Sequence, residues 1–403
     1  MSNSLETNVC IVGGGPGGAM LAMLLARAGV DVVLVEKSAS NKRHFRGESI
    51  SPDSVALLEE LNIMPYIEKH GYLQTKQMHV YENNKRLLQV NFDRFDYSKK
   101  FTIDIPQSVL ISALLAEALK HKNFRYMPGF GCESLISENG MIKGIHATGA
   151  DTKIKICSSL VVAADGRYGK LRKFANLPAI IKPTSRDILW FLVTKPNDWG
   201  DVAKISMVKD SHIIALPTYP NFLRLGLNIP HGQFKQIRQQ NISYLHNMVE
   251  KIEPTLASNV KSEIKSWSDT TLLDIFTLQA PCWALDGLVL IGDAAHTLTP
   301  ILGQGVNQAI KDAVMLSPII EKQIQKNKEL TIPKDIFNDF IKKRKKEVNF
   351  VHKFQLRQEK MLSKSSFLQT ALRRFSYRII NHSHKFQDKL WGRLLYQYQQ
   401  GNK

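Results

Sequence analysis

With 403 residues, the chain is long enough for two domains or one large composite domain, and its 43% hydrophobic content is that of an ordinary globular protein. It carries a formal net charge of +18, and Cys10, Cys132, Cys157 and Cys282 lie scattered without a CxxC pair. No apolar run nears the roughly 18 residues of a spanning helix. The opening "MSNSLETN" lacks the basic and apolar regions of a secretory signal. The cysteine spacing argues against a disulfide framework or a zinc site, and a cytoplasmic protein with reduced thiols is expected.

The first legible unit is "VCIVGGGPGGAMLAMLLARAGVDVVLVEKS". Val9 to Val12 is a β-branched run that predicts a buried strand, Ala19 to Ala28 predicts a helix, and Val32 to Val35 predicts a second buried strand ending in Glu36. Between strand and helix, Gly13, Gly15 and Gly18 form G-x-G-x-x-G. Gly13 permits the tight turn, Gly15 lets backbone N–H groups approach a pyrophosphate, and Gly18 lets the helix pack close to the sheet. An acid after the second strand, here Glu36, suits an adenosine ribose. The complete βαβ unit points to a dinucleotide, without choosing between FAD and NAD.

Further along, "MHVYENNKRLLQVNF", "DILWFLVTK" and "HIIALPTYPNFLRLGLNIP" have strand character and predict a mixed sheet. Between them a buried strand, Leu160 to Ala163, stops at Asp165 and Gly166; later Leu288 to Ile291 stops at Gly292 and Asp293. A carboxylate just beyond a parallel strand lies where open α/β sheets hold ligands, and two returning to one crevice suggest one long ligand. Either aspartate alone reads equally well as a turn former or helix cap. After Asp293 come Pro300 and the glycines of "GQG", then an amphipathic helix with Val306, Ile310, Ala313 and Val314 on one side.

These motifs, in this order, resemble the FAD-dependent aromatic hydroxylases, the single-component flavoprotein monooxygenases typified by para-hydroxybenzoate hydroxylase and the ubiquinone-biosynthesis hydroxylases. The resemblance implies a Rossmann-like α/β FAD-binding domain with an inserted mixed-sheet substrate domain and a C-terminal helical region. It further implies that Arg46, in "FRGESISPDSVALLEELNI", approaches the flavin and that Gln107 lies near the phosphates or ribityl chain. Asp293 would bind the ribityl chain, Pro300 would lie against the isoalloxazine ring, and Gly303, Gln304 and Gly305 would offer backbone N–H groups to its N1 and O2 edge. Negative charge on that edge in reduced flavin would be stabilised by a helix N-terminus. Asn307 is a further cofactor candidate, while His296 reads as structural. One departure is visible: the family commonly has a serine before the last arginine of the Asp-Gly motif, and this chain has Gly169 before Arg172.

The activity implied is hydroxylation of an aromatic or polyketide-like small molecule, with NAD(P)H and O2 as co-substrates and a flavin C4a-hydroperoxide as the oxygen donor. A flavin-dependent halogenase and a prenyl-chain reductase are alternatives, although the halogenase W-x-W-x-I-P segment is absent. A non-catalytic flavin-binding membrane-surface protein is an alternative of another class. No general base can be assigned, with His79, His212 and Tyr219 on presumed pocket strands as weak candidates. The implied cofactor domain is discontinuous (1–75, 105–182 and 275–325), with the substrate domain at 76–104 and 183–274.

The remaining segment, 333–403, is basic and helical. From Lys334 onward it holds seventeen Lys and Arg against five Asp and Glu, most of the chain's excess charge. Leu368, Leu372, Phe375, Ile379, Phe386, Leu390, Leu394 and Tyr398 fall at helical spacing, with Arg373, Arg374, Arg378 and Lys389 mostly off that line. The first expectation is that this apolar line packs on the cofactor domain and leaves a solvated basic face. Peripheral docking on a membrane surface is the other reading. No nucleic-acid recognition motif accompanies the charge.

Overall fold

The computed structural model describes residues 3–40, 49–326, 331–363 and 366–401. Its centre is a parallel sheet in the order Leu288–Leu290, Lys153–Ala163, Asn3–Val12, Val32–Glu36 and Phe124–Pro128. Strands buried on both faces read as continuous apolar runs, and Val9 to Val12, Val32 to Val35 and Leu160 to Ala163 are all buried. Two strands outrun the expected apolar stretches. Asn3 to Thr7 pair in parallel with Ile154 to Ser158, so a polar, alternating half-strand is held by backbone hydrogen bonds. That lower half of Lys153–Ala163 also pairs antiparallel with Met141–Thr148, which in turn pairs with Gly131–Glu138.

The helices Pro16–Arg27, Gln107–Ala118 and Gln304–Lys326 pack together against this sheet. Leu21, Leu25, Leu110, Leu114, Ile310 and Ala313 are fully buried there, and Val314 is half-buried. The mixed sheet has seven strands in the order Thr271–Leu273, Arg186–Thr194, Phe222–Pro230, Ser211–Thr218, Val202–Val208, Gln77–Glu82 and Lys85–Asn91. All neighbours in it are antiparallel except Val202–Val208 with Gln77–Glu82. Helices Ser243–Ile252 and Ala257–Glu263 cover its outer face, where Phe191, Leu223, Leu225 and Leu227 meet Leu245, Val249 and Val260. The inner face is therefore left to look across at the carboxyl ends of the parallel strands. A small sheet of Ser49–Ile50, Thr102–Asp104 and Leu73–Thr75 lies between the two layers.

The C-terminal helices Asn338–Leu362, Phe367–His382 and His384–Leu395 return over both layers. Arg344 is fully buried and its guanidinium donates to Asp312 at 2.7 Å, and Lys311 pairs with Asp53, which also accepts from the Tyr398 and Gln399 N–H groups. Tyr396 stacks on Tyr97. The expectation that the apolar line of 368–398 packs inward is corrected over its first half. Leu368, Leu372, Phe375, Ile379 and Phe386 face outward, whereas Arg373 is buried against Glu82. Only from Leu390 onward does the line turn toward the protein, with Leu394 buried. Among the described residues no helix is long and apolar enough to cross a membrane.

Candidate active site

One cavity of about 1370 Å³ runs from the carboxyl ends of the parallel strands to the inner face of the mixed sheet. Gly13, Gly15, Gly18, Glu36, Gln107, Asp165, Asp293, Pro300, Gly303 and Gly305 all line it. Arg46 lies outside the described residues. Residues separated by almost three hundred positions thus converge because the strands that carry them run parallel and end at one edge.

The end of the cavity at the glycine turn is built from backbone. Gly13 has φ +109°, and a Cβ there would overlap the Ala164 carbonyl, so the turn admits only glycine. The helix that follows starts at Pro16, has Gly15 as its cap, and carries neither a side-chain cap nor an acid in its first turn. Its first N–H groups are left for an anion. Glu36 closes the other side, accepting from the Gly14 and Ser38 N–H groups at 2.7 and 2.8 Å.

Asp165 accepts from the Leu171 N–H at 3.0 Å, while its Oδ1 is buried with no partner among the described residues. Burial raises its carboxyl above the ordinary range, against the opposing pull of those N–H donors and of Arg172. At the departure from the family pattern, Gly169 lies flush against this carboxylate, and a side chain there would collide with it. Arg172 is buried and donates to the Ala294 carbonyl at 2.9 Å, which ties the Asp-Gly turn to the Gly-Asp turn. Asp293 faces the cavity and pairs with Arg167 Nε at 3.4 Å. Arg167 carries no earlier assignment; its place within "DGRYG" was the available signal.

The loop at Pro300 leads through Leu302, at φ +61°, and Gly303, at φ +59°, into the helix beginning at Gln304. A Cβ on Gly303 would press on the Ser49 side chain. Two groups brace this loop from outside the cavity, and a third braces the Gly292–His296 segment that precedes it. Asn307 donates to the Ser49 and Gly303 carbonyls at 3.0 and 2.9 Å and accepts from the Ser51 N–H at 2.9 Å. With these bonds its amide is turned to the loop and the Ser49 strand, and Asn307 does not line the cavity. Gln355, from the C-terminal helix, donates to the Thr299 and Ile301 carbonyls at 3.0 and 2.7 Å. Asp312 receives the Gly292 N–H, His296 Nε2 and Arg344 Nε, each at 2.7 Å. Burial would raise the Asp312 carboxyl, but His296 and Arg344 outweigh it and hold it at about 2. His296 is thus buried in a brace behind the loop.

The far wall is apolar, with Met78, Trp190, Ile205, Ile214 and Leu216 from the mixed sheet and Trp391 and Leu395 from the last long helix. Its charged feature is a buried pair: Arg224 donates to Asp104 at 2.7 Å, Ser49 Oγ donates to the same carboxylate oxygen at 2.7 Å, and the guanidinium lies 4.8 Å from the Trp190 ring centre. Asp104 and Arg224 come from different sheets, so no local pattern announces them. His79, His212 and Tyr219 do not line the cavity. His79 is held by Gln77 at 3.0 Å, His212 is buried, and Tyr219 is exposed against Gly71. Asp187, His231 and Asp274 approach one another closely enough to hold an ion, but Asp187 is already engaged by His231 and by the Gly232 and Ile275 N–H groups.

Comparison with known proteins gives the same architecture. A family model described as "FAD binding domain" matches residues 6–330. The chain is 30% identical over 373 residues to 6-methylpretetramide 4-monooxygenase of Streptomyces rimosus, covering 92% of this chain and 88% of that protein. It is 25% identical over 324 residues to 3-demethoxyubiquinol 3-hydroxylase of Escherichia coli, covering 78% of this chain and 79% of the other. The structure of PqsL of Pseudomonas aeruginosa with 2-aminobenzoylacetate superposes with a TM-score of 0.79 at 19% identity, covering 91% of this chain and 99% of that one.

Proposed function

Because the chain belongs to the FAD-binding-domain family of flavoprotein monooxygenases and is an FAD-dependent oxidoreductase, we propose that it hydroxylates a phenolic, polycyclic or polyketide-like aromatic molecule, using NAD(P)H and O2. The observation that carries this reading is the continuity of the cavity from the glycine turn to the Trp190 wall. One long cofactor and one apolar substrate fit end to end in it. The substrate class also draws support from the relative named for a 6-methylpretetramide.

In this reading the N–H groups around Gly13 and Gly15 hold the pyrophosphate, Glu36 the adenosine ribose, Gln107 and Asp165 the middle of the cofactor, and Asp293 the ribityl chain. The loop from Pro300 to Gly305 holds the flavin edge with glycine-bared backbone donors, kept in place by Asn307 and Gln355. When bound, FAD supplies the passage of electrons from nicotinamide to oxygen and the insertion of one oxygen atom into the substrate. Trp190, Ile214 and Leu216 exclude water and stack on an aromatic face. Arg224 gives that wall a fixed cation, the natural partner of a phenolate or enolate oxygen, and Asp104 keeps the guanidinium oriented.

The test is NAD(P)H oxidation by the purified yellow protein across a panel of phenols and polycyclic aromatics, with product mass measured. Accelerated oxidation and a gain of one oxygen from O2 are expected. Product formation without oxygen, or only in the presence of chloride or bromide, would replace oxygen transfer with reduction or halogenation.

A further inference from the structure

The helix Phe367–His382 is amphipathic with its faces reversed. On the side turned to the protein, Arg373 is buried against Glu82 of the strand Gln77–Glu82, Arg374 pairs with the same carboxylate, and Tyr377 donates to Gln358 at 3.0 Å. Asn381 caps the inner face by accepting the Gln89 N–H at 3.0 Å. Charged and polar contacts therefore hold the helix down. On the outer side, Leu368, Leu372, Phe375 and Ile379 recur at the spacing of one helical stripe, with exposures of 74, 64, 62 and 48%. Phe367 and, from the next helix, Phe386 extend the same exposed surface at 86 and 47%. A row of this kind is what a water-facing helix lacks.

The charge beside the stripe identifies what covers it. At 100° per residue, Arg378 borders the stripe on its own helix, and Lys385 and Lys389 are exposed on the side of His384–Leu395 that carries Phe386, while the Arg393 guanidinium lies over the Phe350 ring at 3.8 Å. Of the six Lys and Arg from Phe367 to Arg393, Arg373 and Arg374 are engaged by Glu82 and Arg393 by Phe350, which leaves Arg378, Lys385 and Lys389 as the outward cations. The one acid of the segment, Asp388, is itself paired with Arg94 at 3.5 Å. An apolar ridge with a cationic border is complementary to a bilayer surface, whose acyl region takes the ridge while its anionic headgroups take the border. A protein partner fits less well. The stripe is a convex ridge without a groove, and lysine is depleted from protein interfaces.

We propose that the outer face of Phe367–His382, continued by Phe386, Lys385 and Lys389, docks the protein on an anionic lipid surface. The inference does not depend on which substrate is hydroxylated. It has a consequence for access, because the second helix of this pair contributes Trp391 and Leu395 to the cavity wall. A lipid-dissolved molecule would then meet the protein one helix away from the site.

Flotation of the FAD-loaded full chain with vesicles tests this. Binding to vesicles of phosphatidylcholine with phosphatidylglycerol at low salt is expected to exceed binding to phosphatidylcholine alone at least tenfold, and to fall at least tenfold in high salt. Two triple variants, Leu372→Glu/Phe375→Glu/Ile379→Glu and Arg378→Glu/Lys385→Glu/Lys389→Glu, should each lose at least tenfold while keeping FAD content and melting temperature. Absence of wild-type binding, or undiminished binding by the first variant, would overturn the proposal. So would a wild-type dimer in light scattering that the first variant converts to a monomer, because a second copy would then be the occupant.

Discussion

The two walls of the cavity are made differently. The wall proposed for the cofactor is backbone: strand ends, a glycine turn and two helix starts, with Glu36 at a strand end and Asp165 and Asp293 two and three residues beyond one. The substrate wall is side chain: Trp190, Ile214, Leu216 and the Arg224–Asp104 pair, brought together by the pairing of strands distant in sequence. A backbone site demands glycine and tolerates nothing else, whereas a side-chain wall can be exchanged residue by residue and still close. One family can therefore keep a cofactor and vary its substrate.

The comparison breaks most sharply at Gly13. Gly13→Val, which would drive a side chain into the Ala164 carbonyl, should leave a protein with at least a hundredfold weaker FAD binding, read by flavin absorbance after desalting. FAD retained at full stoichiometry would mean that the cradle is not at this turn. Next is the brace between the cofactor wall and the C-terminal helices. Asp312→Asn removes one of the two carboxylates that pair with buried Arg344, leaving Glu347 and the Gln308 amide oxygen, and should cost about 3 kcal/mol of stability, the low end for breaking a buried pair. Urea unfolding measures this, and a loss below ~1 kcal/mol would show that Glu347 and Gln308 satisfy Arg344 without Asp312.

A pH titration sharpens the substrate side. Burial, with Arg186 and Arg373 nearby, lowers His212 from 6.5 to about 4. The unfolded chain takes up this proton at higher pH than the folded one, so the stability is present above pH 6.5 and is lost as pH falls toward 4. The loss is on the order of 3 kcal/mol. Thermal melts of wild type and His212→Asn should separate in that window, the variant having the flatter profile; parallel profiles would remove His212 as the source.

Smaller effects distinguish the walls functionally. Arg224→Met should retain FAD and lower kcat/KM about tenfold or more, with Arg224→Lys recovering part of it. Equal loss of FAD in both would place Arg224 with the cofactor wall. Gln355→Leu, which leaves the Thr299 and Ile301 carbonyls without their donor, should cost about 1–3 kcal/mol. It should also divert a few-fold more NAD(P)H to hydrogen peroxide, measured by a peroxidase-coupled assay. Coupling equal to wild type would show that the loop at Pro300 needs no support from the C-terminal helix.

What could be read from residues alone was set by backbone necessity and by runs that must be buried. The strands before Gly13 and Asp165 are apolar because both faces of a parallel sheet are covered, and the glycines recur because a turn with positive φ and a close helix start accept no side chain. Local constraints of this kind survive in a single sequence. Asn307 is a cofactor candidate by its place in the sequence, but its amide can as well face the cavity as the Ser49 strand, and only the docking of that strand brings it onto Ser49 and Ser51. The same holds for Asp104 and Arg224, whose meeting depends on two sheets closing over each other. The tail teaches it most plainly. Its helical period was legible, but the period does not say which face turns inward, and Glu82 on a distant strand drew Arg373 into the protein and left Leu372, Phe375 and Ile379 outside. Periodicity is a property of one helix; its orientation is a property of what that helix is laid against.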